Sequence, residues 1–186
     1  MAAVAAVIDW PPRQSQVAGY REDPLWIRIA GFPLDDPGAK MPFSCRLARD
    51  NGWSRDHACR VIAEYRRFCY LALVAGHPVT PSEEVDEAWH LHLLYTRDYW
   101  DHFCREVLRQ PLHHGPTRGG LKEQSKFRGW YTATIESYAR LFASLPPSDI
   151  WPAADVRFAP RAFRRIDTMS NWILPKPRLR FLRRHN

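Results

Sequence analysis

No apolar run in the 186 residues approaches the roughly eighteen that a membrane-spanning helix needs. The N-terminal AAVAAVI is short, has no basic segment before it and runs into Asp9, which is not the pattern of a secretory leader. A cytoplasmic location is therefore the expectation. The four cysteines (Cys45, Cys59, Cys69, Cys104) form no CxxC pair, so neither a zinc ribbon nor a dithiol redox motif is present, and reduced core residues are expected. No phosphate-binding loop, dinucleotide fingerprint or Ser-His-Asp arrangement argues for those reaction classes. Internal repeats are absent too. Acidic residues are scarce in the tail: Arg157–Asn186 holds nine Lys and Arg against one Asp, a charge of +8, while the preceding residues sum to −1. The net +7 is thus a property of the tail.

Aromatics are abundant, with eight Trp, nine Phe and seven Tyr, so the single core that this length allows should be largely aromatic. Residues 1–42 carry Pro11, Pro12, Pro24, Pro33, Pro37 and Pro42, which forbids a long helix and favours extended or turn structure. Tyr20, Trp26, Ile29 and Phe32 would anchor this segment as an arm over the domain. From Phe43 a short helix is expected over residues 45–50, with Ser44 as cap and Asn51-Gly52 as stop. Ser54 caps a longer one, whose Ala58, Val61, Ile62, Tyr65, Phe68, Cys69, Ala72 and Leu73 share one apolar face. Ser82 caps a third, predicted to run unbroken to Gln110-Pro111. HHGPTRGG reads as a loop, and residues 122–144 as a further helix with Phe127, Trp130, Tyr131, Thr134, Tyr138, Leu141 and Phe142 inward. The expected fold is all-α, a small antiparallel helical bundle. Its parts are a Pro-rich arm (1–42), a helical domain (43–150) and an irregular, aromatic, basic extension (151–186), with strands in the arm or extension left open.

Five of the eight histidines lie between Val85 and His114. At 100° per residue, with Asp86 at 0°, Val85, Trp89, Leu93, Thr96, Trp100, Phe103, Cys104 and Val107 make the core face. Glu84, Glu87, Leu91, Tyr95, Asp98, His102 and Arg105 fall opposite, on a mostly solvated side. His90 lies at about 40° and His92 at about 240°, so the two cannot clamp one ion from a regular helix. Asp86 and His90, four residues apart, do share a face and can hydrogen-bond, share a metal or form a base with its orienting acid. The candidate metal set is Asp86, His90, His113 and His114, for Zn, Fe or Mn. His92, Glu64 and Glu83 are secondary members, and His90 is the candidate general base of a metal-assisted hydrolysis or oxidation. A satisfied polar pair that merely fixes helix packing is the competing reading of Asp86 and His90, and a structural hydrogen bond is the expectation for His92.

VDEAWHLHLLYTRDYW, followed by a cysteine and a helix-ending HHGP, resembles the glycine-rich-domain-containing protein-like family of plants, fungi and bacteria, formerly a domain of unknown function. The family's Asp-x-x-Trp-His-x-His core, followed by Leu and Tyr, is carried here by Asp86, Trp89, His90, His92, Leu94 and Tyr99. FSCRLARDNGWS and EYRRFCYLALVAGHPVTPS are similar to its bacterial members, so the likeness spans roughly residues 43–120. It implies the helix but no established reaction. The glycine-rich and RNA-binding regions of plant members have no counterpart here.

In the extension, Trp151, Phe158, Phe163, Trp172 and Phe181 alternate with arginines, of which Arg178, Arg180, Arg183 and Arg184 are the candidate partner contacts. That pattern suits single-stranded nucleic acid, an anionic membrane surface or an acidic protein. It equally suits aromatics packed on the bundle beneath solvated arginines. The alternative function is accordingly a non-enzymatic interaction module; the partner of the first reading would be an unspecified protein or small molecule.

Overall fold

Asp23 and Pro24 begin the first α-helix of the computed structural model, which describes residues 5–7, 19–115, 120–159, 170, 172 and 174. Pro24 occupies the first turn, where its missing N–H costs nothing, and the Asp23 carboxylate accepts from Leu25 N at 2.8 Å. Helix α1 (Pro24–Gly31) thus forms inside the segment expected to be extended or turn. It is short, as the prolines require, and buries Leu25 and Ile29. Phe32 follows it into the core.

Helix α2 (Phe43–Asn51) ends in a left-handed Gly52. Ser44 lies within its first turn instead of capping it, and both its N–H and its hydroxyl donate to Asp35 at 2.7 Å. Helix α3 (Arg55–Val74) is capped by Ser54, which accepts from His57 N. All eight expected apolar residues of α3 are buried, and so are Tyr70 and Leu71 on its other side. The reason is position: α1, α2, α4 (Glu83–Leu94) and α5 (Leu121–Phe142) all pack on α3. On α5, Phe127, Tyr131, Thr134, Tyr138 and Phe142 point inward, with Trp130 half-buried. A short α6 (Ala154–Arg157) follows. The fold is all-α among the described residues apart from one two-stranded ribbon.

Two further expectations need correction. The long third helix is not continuous: α4 stops at Leu94, Tyr95 takes φ −86° and ψ 61°, outside the helical region, and Asp98–Leu108 is a π-helix. Bend and wider turn together shift the angular phase, so Tyr99 is fully buried while Trp100 and Thr96, assigned to the core face, are exposed. Leu91, assigned to solvent, is buried because α2 as well as α3 covers α4. Secondly, His113–Gly115 is no loop. It is strand β2, paired antiparallel with β1 (Ala5–Val7), His114 opposite Ala6 and His113 opposite Val7.

Arg178, Arg180, Arg183 and Arg184 lie outside the described residues. Of the extension's described aromatics, Trp151 is buried, Phe158 packs against the core and Trp172 is exposed. No helix among the described residues is long and apolar enough to cross a membrane.

Candidate metal centre

Ser82, fully buried, accepts from Val85 N and starts α4. Asp86 therefore sits in the first turn, where the exposed N–H dipoles favour a carboxylate. One turn later on the same face comes His90, with Nδ1 3.8 Å from Asp86 Oδ2, too far for a hydrogen bond. The other carboxylate oxygen, Oδ1, accepts from His114 Nε2 at 2.9 Å. The His114 ring stacks at a tilt on His90, centroids 4.3 Å apart, and meets Trp89 edge-on at 4.5 Å. One ligand atom from each of Asp86, His90 and His114 lies within 4.8 Å of the other two.

β2 supplies its histidine because it is held from two sides. β1 pairs with its backbone, and Tyr99, reaching in from the π-helix, donates to Leu112 O at 2.5 Å. The same hydroxyl accepts from Trp89 Nε1 at 2.9 Å, tying α4, the π-helix and the approach to β2 into one knot. Both aromatics belong to the motif on which the family resemblance rests, but nothing in the sequence shows that they bond to each other.

Electrostatically the cluster is one buried acid between two imidazoles. Burial lowers the His90 pKa from its ordinary value, against the pull of Asp86 and with a smaller push from His114. His90 is thereby held in the neutral form that a metal requires. The His114 N–H and a cation are alternative partners for Asp86 Oδ1. Donors bonded to one ion at about 2.1 Å each can be no more than about 4.2 Å apart, so closing the site takes only a small side-chain movement. Half-exposed His90 is the member free to make it.

The remaining predicted site residues go elsewhere. His113 points to the other side of β2 and lies against Trp100, ring centroids 5.4 Å apart. His92 is fully buried, its Nδ1 2.9 Å from Tyr65 Oη, its ring packed among Phe32, Phe43, Tyr99 and Phe103. Its Nε2 stands 3.4 Å from Asp98 Oδ2 without a hydrogen bond. Burial lowers its pKa to about 4, although Asp98 pulls the other way. Glu64 is a buried acceptor for Arg67 and for Trp151 Nε1. Glu83 accepts from Arg157 Nη1 at 2.9 Å. His102 is a surface residue beside Asp98, as the helical angles predict. The separation of His90 from His92 is as the sequence requires.

A family model, described as UCP032817-like, matches residues 44–136, half of the chain, and includes all three cluster residues. No curated protein and no solved structure matches the chain.

Proposed function

Starting from a chain that belongs to the UCP032817-like family, an uncharacterised one, we propose that it binds a divalent transition-metal ion through Asp86, His90 and His114. The observation that supports this is the convergence of one carboxylate and two imidazoles, drawn from a helix and a distant strand, on a single point. Two histidines and a carboxylate suit Zn, Fe(II) or Mn and leave coordination positions open. An ion so held can activate water or bind an oxidant, so metal-dependent hydrolysis or oxidation is the chemistry we assign. His90, the most exposed of the three, faces any incoming substrate.

Within this reading, the Asp-x-x-Trp-His-x-His motif is that of the glycine-rich-domain-containing protein-like family in its bacterial form. Asp86 and His90 serve the site, whereas Trp89 and His92 serve the fold. Four free cysteines, two of them buried, fit a reducing compartment and hence the cytoplasm.

Elemental analysis of protein purified without a histidine tag is the test. One ion per chain is expected in the wild type, with loss in His90→Ala and in Asp86→Asn; metal absent from the wild type even after reconstitution would end the proposal. A second reading has one observation in its favour: Trp172 is almost fully exposed, as is Leu174, on the approach to the arginine-rich terminus. Salt-dependent binding of single-stranded nucleic acid, lost when residues 176–186 are deleted, would support it. Undetectable binding at low salt would exclude it.

A further inference from the structure

The π-helix ends at Leu108, and the chain turns back over its last turns through Arg109, Gln110 and Pro111. A solvent-open cavity of about 320 Å³ is lined by residues of both segments. Trp100 and Cys104 contribute to its lining. Arg105 and Arg109 supply the only formal charges among its lining residues, and Gln110 a neutral polar group. Cys104 is almost wholly buried, and that burial pushes its thiol pKa up, so it contributes uncharged surface. The lining therefore combines an aromatic ring with two cationic groups and holds no carboxylate.

Three features set this cavity apart from an ordinary surface cleft. Trp100 is a large aromatic left exposed by the π-helix, and His113 lies against it at 5.4 Å, which limits its freedom. Arg109 adopts the left-handed conformation, φ 59°, unfavourable for a residue with a Cβ. Glycine would occupy that position without strain. Moreover, its guanidinium has no hydrogen-bond or ion-pair partner among the described residues, while that of Arg105 has only the adjacent Glu106 at 3.6 Å. Two little-compensated guanidiniums beside an exposed indole are complementary to a flat, negatively charged molecule.

We propose that this cavity binds a small planar anion, an aromatic ring bearing a carboxylate or phosphate, with the ring on Trp100 and the acid group between Arg105 and Arg109. The site is separate from the Asp86, His90 and His114 cluster and needs no metal.

Calorimetric titration of the full chain with 2-naphthoate, 2-naphthyl phosphate and neutral 2-naphthamide, all in EDTA, tests it. Binding of at least one anion is expected, with the amide about tenfold weaker or more. Whichever anion binds tighter names the acid group. Arg109→Gly removes the guanidinium and the backbone strain together, so it should melt no lower than the wild type yet lose the preference for the anions over the amide. Trp100→Leu should weaken all three probes and remove the one indole N–H signal that shifts on titration in the NMR spectrum. Equal binding of amide and anions, an unchanged preference in Arg109→Gly, or no binding of either anion would each overturn the proposal. Because EDTA is present throughout, failure here leaves the metal reading untouched, and the reverse.

Discussion

Removing one oxygen atom, in Tyr99→Phe, should loosen the fold and the candidate metal centre together. The Tyr99 ring is fully buried and its replacement has the same shape, so no sizeable cavity opens. What is lost is a hydroxyl that accepts from Trp89 Nε1 at 2.9 Å and donates to Leu112 O at 2.5 Å. Trp89 and Leu112 are themselves fully buried, so water cannot replace it. Each buried group left unpaired costs about 1–3 kcal/mol, which puts the loss at about 3 kcal/mol. That is a sizeable share of the roughly 5–15 kcal/mol that stabilises a domain. Urea unfolding should show the midpoint moved down with the slope unchanged. Leu112 also leads into β2, and Trp89 packs on the His114 ring, so metal affinity should fall by about tenfold, as for other residues that orient a ligand. A stability loss under about 0.5 kcal/mol would refute the account of Tyr99 as the knot between α4, the π-helix and β2.

Glu64→Ala should be comparably damaging, by about 3 kcal/mol in urea unfolding, since it leaves the buried Trp151 N–H without its acceptor and takes the carboxylate from Arg67, which keeps only the Tyr138 hydroxyl at 3.0 Å. A neutral result would mean that Arg67 turns fully to solvent. His92 sets a pH dependence whose sign follows from its lowered pKa. The folded chain protonates His92 only near pH 4, whereas the unfolded chain does so at the ordinary 6.5. Between those values the unfolded state binds more protons, so stability rises with pH and is lost as pH falls from about 6.5 towards about 4, by at most about 3 kcal/mol. Unfolding in EDTA across that range should be steeper for the wild type than for His92→Gln; identical slopes would contradict the assignment.

Where one regular helix decides the outcome, the sequence is a sufficient guide. The buried face of α3, the caps Ser54 and Ser82, and the parting of His90 from His92 all follow from spacing. Legibility fails where distant contacts intervene. The break at Tyr95 carries neither proline nor glycine, and only the packing of Tyr99 and Phe103 around His92 shows why the next segment turns differently. β2 is invisible because its partner, β1, lies roughly a hundred residues earlier in the sequence. For the same reason the sequence can nominate His113 and His114 together but not choose between them. Strand alternation makes the choice, sending one to Asp86 and the other to Trp100.

That distant pairing has a consequence for the order of assembly. Asp86 and His90 come into place as soon as α4 forms, a local event, but His114 arrives only when β2 is fixed, and β2 needs a strand from roughly a hundred residues earlier. On the proposed metal reading, two donors are therefore in place before the third. A metal ion that prefers the full set would act as a latch on the last contact to close, slowing local opening of the ribbon far more than it slows unfolding of the helices around α3.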